Sequence, residues 1–95
     1  MTTTMELTRF RVSPDHADLL LAARPGMIAD FQTDRAGFLG AKLIRMSEDE
    51  WLDIVEWRAP EDFAASRAKG ANLPGIRAFF DQIDELVSME EGTVR

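Results

Sequence analysis

Charged side chains inside predicted strands are the first candidates for chemistry in this sequence. Arg9 and Asp53 both lie in such strands, where a buried charge without a partner is expensive. If the two strands are neighbours, Arg9 and Asp53 are expected to form an ion pair. If the two residues instead face a cavity, Arg9 can hold an anion or oxyanion, and Asp53 can serve as a general acid or base.

Two further polar residues lie outside the strands. Asn72 belongs to the helix-breaking segment GANLPG, where it can cap a helix that begins near Pro74 or contact a ligand from a loop beside a pocket. His16 is the single histidine, and no neighbouring residues offer the spacing of a metal site. We interpret His16 as a surface residue and predict no metal site.

Three aromatic residues are predicted to bind a substrate. Trp57 lies where a strand runs into a helix, so it either fills the core or forms one wall of an apolar pocket. Phe31 and Phe79 lie on the apolar stripes of two predicted helices and are assigned to the same pocket. Trp51, at the start of the strand that ends at Trp57, is predicted to pack at a subunit contact.

Composition narrows the functional class. The chain has 95 residues, a net charge of −6 and no cysteine. Its basic residues are scattered, which argues against nucleic-acid binding, and the lack of cysteine excludes disulfides and Cys-ligated metals. The sequence shows no signal peptide and no apolar run long enough to span a bilayer. We therefore expect one domain, residues 1–95, in the cytoplasm and without membrane partners.

Periodicity predicts the order strand, helix, strand, strand, helix, strand. The helix starts are marked by Ser13-Pro14-Asp15 and by the acids after Pro60, and Pro25 is expected to kink or break the first helix. Folded compactly, this order gives a ferredoxin-like α+β fold, βαββαβ, with a four-stranded antiparallel sheet and both helices on one face. The first and third strands are then central.

Residues 37–57 are predicted to form a hairpin of two strands joined by the acidic turn Ser47 to Glu50. Both strands carry apolar residues at odd and at even positions, and therefore on both faces. A hairpin with one solvated face would alternate strictly between apolar and polar residues. So short a chain can cover only one sheet face with helices. The other face is therefore predicted to meet a second copy of the protein, as a homodimer through the sheet faces.

Several motifs resemble the antibiotic biosynthesis monooxygenase domain family of the dimeric α+β barrel superfamily. They are Gly37-Phe38, Trp51-Leu52-Asp53, Trp57, and the segment LLAARPGMIADF from Leu20 to Phe31. The resemblance covers about residues 5–92. It implies that two subunits pack their sheets face to face and that each holds a ligand cavity between sheet and helices. Members of the family include cofactor-independent oxygenases of polycyclic phenols and quinols, haem-degrading enzymes, and proteins with no established reaction, so the resemblance implies one of these three.

The sequence departs from both of these chemistries. Haem-degrading relatives use a tryptophan in the second helix, where this chain has Ser66, and a histidine beyond it, yet no histidine follows His16. The quinol oxygenases use a polar set that includes Asn, Trp, Tyr and Arg. This chain has no tyrosine, and Asn72 is its single asparagine.

The leading hypothesis is a homodimer that binds a small aromatic or polyketide-like molecule and acts as a cofactor-independent monooxygenase. Arg9 or Asn72 would stabilise a substrate anion, while Trp57 packs against the ring. A non-catalytic binding or structural dimer on the same fold is the alternative. The third hypothesis is a cyclase or isomerase that uses Asp53 as its general acid or base. An ion pair that locks Asp53 to Arg9 would count against this hypothesis.

Overall fold

A computed structural model describes residues 2–95, in which four antiparallel strands form one sheet with the helices on one of its faces. The chain order is β1 (Thr4–Arg11), a short 3₁₀ helix (Pro14–His16), α1 (Ala17–Asp34), β2 (Phe38–Arg45), β3 (Glu50–Trp57), α2 (Pro60–Lys69), α3 (Pro74–Phe80) and β4 (Glu85–Thr93). The strand order across the sheet is β2-β3-β1-β4, so β1 and β3 are central. The predicted ferredoxin-like fold is confirmed.

The first helix does not break at its proline. Pro25 lies inside α1, which continues as one helix to Asp34. The helix loses one backbone hydrogen bond at Pro25, but its buried residues keep a single stripe on both sides of that position. Packing of that stripe therefore outweighs the local cost of the proline.

The register places alternate strand residues on the two faces of the sheet. Thr4, Glu6, Thr8 and Phe10 of β1 lie opposite the odd-numbered residues of β3, from Trp57 to Trp51, on the face that the helices cover. The prediction that Trp51 packs at a subunit contact is wrong, since Trp51 is 3% exposed and belongs to the core beneath α1.

The core forms two clusters on this face. The larger includes Phe10, Leu20, Trp51 and Phe79, and its Phe10 and Phe79 rings meet edge to face with centroids 6.2 Å apart. The smaller contains Val55, Trp57 and Phe63 under α2. The partly buried Phe38 packs against both clusters.

Close approach of α1 and α3 fixes the position of the short helix α3. Gly26 of α1 faces Gly75 at the start of α3, and the Asp30 carboxylate accepts a 2.8 Å hydrogen bond from the backbone N–H of Gly75. Asp30 thus supplies the cap that Asn72 was expected to provide, because α3 receives no side-chain cap from its own flanking residues.

The other face of the sheet carries the remaining strand residues and no helix within residues 2–95. Leu7 and Ile54 are register partners at the centre of this face, with Arg9 and Leu52 beside them. No helix in the described part of the chain is long and apolar enough to cross a membrane.

Replacing Gly75 by alanine is expected to destabilise the fold by about 1–3 kcal/mol, as overpacking does elsewhere. A Cβ at this position would lie 2.5 Å from the carbonyl oxygen of Gly26 and 2.6 Å from Asp30 Oδ2, so α1 and α3 must separate. Urea unfolding followed by circular dichroism measures the loss. Gly92→Ala is the control, since within residues 2–95 no atom beyond the adjacent residues lies within 4 Å of its new methyl group. Equal stability of the two variants would contradict the prediction.

Candidate functional site

An apolar cavity of about 420 Å³ lies between the sheet and the helices. Its floor is the helix-facing side of the central strands, and its walls come from α1, α3 and the start of β4. The lining residues are Glu6, Thr8, Phe10, Phe31, Asp53, Val55, Phe79, Phe80, Ile83, Asp84, Glu85, Leu86 and Met89. Phe80, Leu86 and Met89 are 41%, 56% and 46% exposed, so the cavity opens to solvent along an apolar rim.

Asp53 lies in the cavity floor and is bound by an arginine from α1. The guanidinium of Arg24 donates two hydrogen bonds to the Asp53 carboxylate, at 2.7 and 2.8 Å, and lies 5.2 Å from the centre of the Phe79 ring. Both side chains are nearly buried, at 13% and 10% exposure. This bidentate ion pair commits both carboxylate oxygens to Arg24, so a proton taken up by Asp53 would disrupt a charge-assisted contact, and Asp53 is poorly suited to act as a general acid or base.

The predicted pair of Arg9 and Asp53 is wrong. Arg9 lies on the opposite face of the sheet, where its guanidinium donates a 2.8 Å hydrogen bond to Glu50. The two strands are neighbours as expected, but Asp53 faces Thr8 in the register and Arg9 faces Leu52. Arg9 therefore does not reach the cavity of its own chain, and it cannot hold a substrate anion there.

Glu6 is a carboxylate in the cavity floor that was not predicted from the sequence as a site residue. It lies on β1 facing the helices; its Oε1 accepts a 3.0 Å hydrogen bond from Trp57 Nε1, and its Oε2 accepts a weaker one of 3.3 Å from the Thr8 hydroxyl. Burial raises the pKa of Glu6, and the nearby Asp53 charge adds to this, although the hydrogen bond from Trp57 opposes it.

Neither Glu6 nor Arg24 was predicted as a site residue, although the sequence contains a signal for both. Glu6 shares its strand parity with Phe10 and Val12, and Arg24 falls between Leu20 and Met27 on the apolar stripe of α1. A single charge on an otherwise apolar face needs a partner or a function. Sequence spacing does not say which partner, since the carboxylate that meets Arg24 lies 29 residues away.

The three predicted substrate-binding aromatics divide between cavity and core. Phe31 and Phe79 line the cavity. Trp57 is fully buried behind it, stacked on Phe63 at a centroid distance of 6.1 Å and an interplanar angle of 12°. Trp57 therefore influences the cavity through its hydrogen bond to Glu6 and not as a wall of it.

Asn72, predicted to be catalytic, lies outside the cavity in a polar cluster at the end of α1. Its side-chain oxygen accepts a 2.7 Å hydrogen bond from Arg35, and its amide donates one of 3.0 Å to Asp34. The hydrogen bonds from Asn72 and Lys69 hold the pKa of Asp34 below its usual range. Arg35 is buried and also donates to Ser66, so this cluster ties the end of α1 to α2.

A smaller pocket of about 190 Å³ adjoins the cavity beneath α2. Glu6 lines both spaces, as do Phe31, Phe80 and Met89. Arg35 and Arg67 are the cationic residues that line the smaller pocket, and the Arg67 guanidinium lies 4.5 Å from the centre of the Phe63 ring. Glu6 thus stands at the boundary between an apolar space and one with a cationic edge.

Metal-ligating residues do not cluster within residues 2–95, where no group of three or more His, Asp or Glu side chains is placed to hold an ion. His16, as expected, is exposed on the surface, at the end of the 3₁₀ helix.

Solved structures with the same fold span nearly the whole chain. A candidate antibiotic biosynthesis monooxygenase from Bordetella bronchiseptica superposes with a TM-score of 0.80 at 16% identity, covering 97% of this chain and 96% of its own. One from Chloroflexus aurantiacus gives a TM-score of 0.70 at 19% identity, with coverages of 98% and 93%. SnoaB from Streptomyces nogalater, a cofactor-independent oxygenase, gives 0.62 at 18% identity, with coverages of 99% and 91%.

Searches by sequence return no matching family model and no matching curated protein. The structural matches confirm the predicted resemblance at the level of the fold. At identities below 20%, they do not transfer individual residues.

Replacing Arg24 by methionine is expected to cost about 3–5 kcal/mol of unfolding free energy, because Asp53 is left as an uncompensated, nearly buried charge. The double variant Arg24→Met, Asp53→Leu removes both charges and should recover most of that loss. Denaturant unfolding of the wild type, both single variants and the double variant measures the coupling. A double variant no more stable than Arg24→Met would contradict the assignment of the pair.

Proposed function

We propose that this protein is a cofactor-independent monooxygenase that acts on a small aromatic or polyketide-like molecule. The observation that carries the proposal is the apolar cavity with the partly buried Glu6 carboxylate in its floor. Its volume lies within the range of about 300–1,000 Å³ that small-molecule sites occupy. The flanking rings of Phe31 and Phe79 suit a flat ligand. The shared fold with SnoaB makes this chemistry the first to test.

The proposed reaction needs no external reductant. Loss of a proton converts an anthrone-type substrate into an electron-rich anion that reacts directly with dioxygen. The activated methylene carbon gains one oxygen atom and becomes a carbonyl, while its two hydrogens leave with the second oxygen atom as water. The protein must therefore bind the ring, accept a proton and exclude bulk water from the anion.

A non-catalytic ligand-binding protein is the second candidate. It is favoured by the positions of Arg9 and Asn72, since neither of these predicted catalytic residues lines the cavity. A cyclase or isomerase that depends on Asp53 is disfavoured, because that carboxylate is held by Arg24.

The proposal includes a homodimer formed through the open face of the sheet. Leu7, Leu52 and Ile54 are apolar residues on the two central strands of this face, and no helix in residues 2–95 covers them. A second copy would remove this apolar surface from water. The added burial would stabilise a small domain whose own core is modest. We further propose that residues 1–95 act as one domain, in the cytoplasm.

Oxygen uptake tests the catalytic proposal. Purified, metal-free protein with anthrone-like and naphthol-like substrates should consume dioxygen faster than the uncatalysed reaction. Met89→Trp should reduce kcat/KM at least tenfold, because the larger side chain at the cavity rim blocks access. Leu19→Trp, at a residue 54% exposed on α1 and away from the cavity, is the matched control. Ligand binding without any uptake would favour the second candidate.

Ile54→Lys tests the dimer. Burying the new ammonium group against a second subunit would be costly, so this variant should sediment as a folded monomer while the wild type sediments as a dimer. Leu19→Lys places the same charge on the exposed side of α1 and should leave the dimer intact. A monomeric wild type in analytical ultracentrifugation would contradict the proposal.

A further inference from the structure

We propose that Glu6 accepts the proton of the substrate hydroxyl group and that Trp57 positions the Glu6 carboxylate for this proton transfer. The inference rests on the proposed function and deepens it, because it names the group that ionises the substrate. The carboxylate lines the apolar cavity, and the two hydrogen bonds it receives, from Trp57 and Thr8, fix its orientation. One bond on each oxygen leaves each with acceptor capacity for a ligand.

The charges around Glu6 favour a neutral ligand that donates a hydrogen bond. Acidic side chains at the cavity are Asp53 in the floor and Asp84 and Glu85 near β4. The positive charge of Arg24 is directed to Asp53, and Arg67 lies on the side of the smaller pocket. An anionic ligand would meet a carboxylate at its centre, whereas a neutral phenol can donate its hydroxyl proton to Glu6.

Two other charged residues lie near Glu6. Glu91 of β4 is the register partner of Glu6 and is exposed. Arg35 lines the smaller pocket, but its guanidinium donates its hydrogen bonds to Ser66, Asn72, Asp34 and the carbonyl oxygen of Gly70. Glu6 in the cavity floor therefore forms no ion pair within residues 2–95, in contrast to Asp53. At the cavity edge, the exposed Asp84 carboxylate accepts a 2.7 Å hydrogen bond from the backbone N–H of Ser13, and the exposed Glu85 lies 3.6 Å from Arg11.

The proposed step is a simple proton transfer. In the enol tautomer of the anthrone, the O–H bond breaks and a new O–H bond forms on a Glu6 oxygen. The electron pair stays on the substrate as the delocalised anion, whose activated carbon then reacts with dioxygen. Because burial raises the pKa of Glu6, the carboxylate is a stronger base than an exposed glutamate, which makes the transfer less unfavourable.

Glu6→Gln separates this role from a structural one. Glutamine keeps the size of the side chain and an oxygen that can accept the Trp57 hydrogen bond, but it cannot take up the proton. We expect Glu6→Gln to bind the anthrone dithranol with a Kd within about threefold of the wild type, while kcat falls roughly 100-fold or more. Glu48→Gln in the exposed turn is the matched control and should leave both values unchanged.

Trp57→Phe tests the positioning role. Loss of the indole N–H removes a hydrogen bond that lowers the pKa of Glu6, so that pKa should rise and the acidic limb of the pH–rate profile should move to higher pH. A structural role of Trp57 alone would change the activity at all pH values without moving the limb. An unmoved limb would overturn the assignment of that limb to Glu6.

Anaerobic spectroscopy distinguishes failure of this inference from failure of the proposed function. Without dioxygen, wild-type protein should shift bound dithranol to its anion at a pH where free dithranol is neutral, and Glu6→Gln should bind it in the neutral form. Ionisation without later oxygen uptake would support Glu6 and overturn the oxygenase proposal. Full turnover by Glu6→Gln would overturn Glu6 and keep the oxygenase, and absence of dithranol binding would count against both.

Discussion

The ion pair between Arg24 and Asp53 is the contact on which the arrangement of sheet and helices depends. Asp53 lies in a central strand with its side chain directed into an apolar interior, so it must be neutralised by a neighbouring element. Arg24 can do this only if α1 lies across β3 at one height and one rotation about its axis. The contact of the same guanidinium with Phe79 then extends this constraint to α3. Placing α1 in this way also places Phe31 over the floor of the cavity.

The cavity exists because the helices cover their face of the sheet in two separate parts. The larger core cluster gathers around Phe10 and Trp51 beneath α1 and α3, and the smaller gathers around Trp57 and Phe63 beneath α2. Side chains of the two clusters do not fill the space between them, and Glu6 stands in that space. A carboxylate is tolerated there because Trp57, a member of the smaller cluster, turns its one polar atom toward it. This hydrogen bond therefore connects the smaller core cluster to the polar floor of the cavity.

The comparison with solved structures shows a shared architecture. The matched structures superpose over more than nine-tenths of both chains at identities below 20%, so they share the backbone fold and few residue identities. The floor of a cavity formed in this way can carry different polar residues without disturbing the core. The activity of this chain therefore has to be argued from its own cavity residues, Glu6 and Thr8 beside the paired Asp53.

The sequence by itself determined the element order, the central positions of β1 and β3, and the ferredoxin-like fold. Strand and helix periods and proline-marked helix starts are local properties, which need no knowledge of distant contacts. It also identified Phe31 and Phe79 as apolar residues that now line the cavity. Only the tertiary structure decided that Asp53 meets Arg24, because a side chain's partner depends on register and helix rotation, and a shift of one residue reverses the face. For the same reason, only the structure shows that Arg9 lies on the open face of the sheet and that Glu6 is a partly buried carboxylate in the cavity floor.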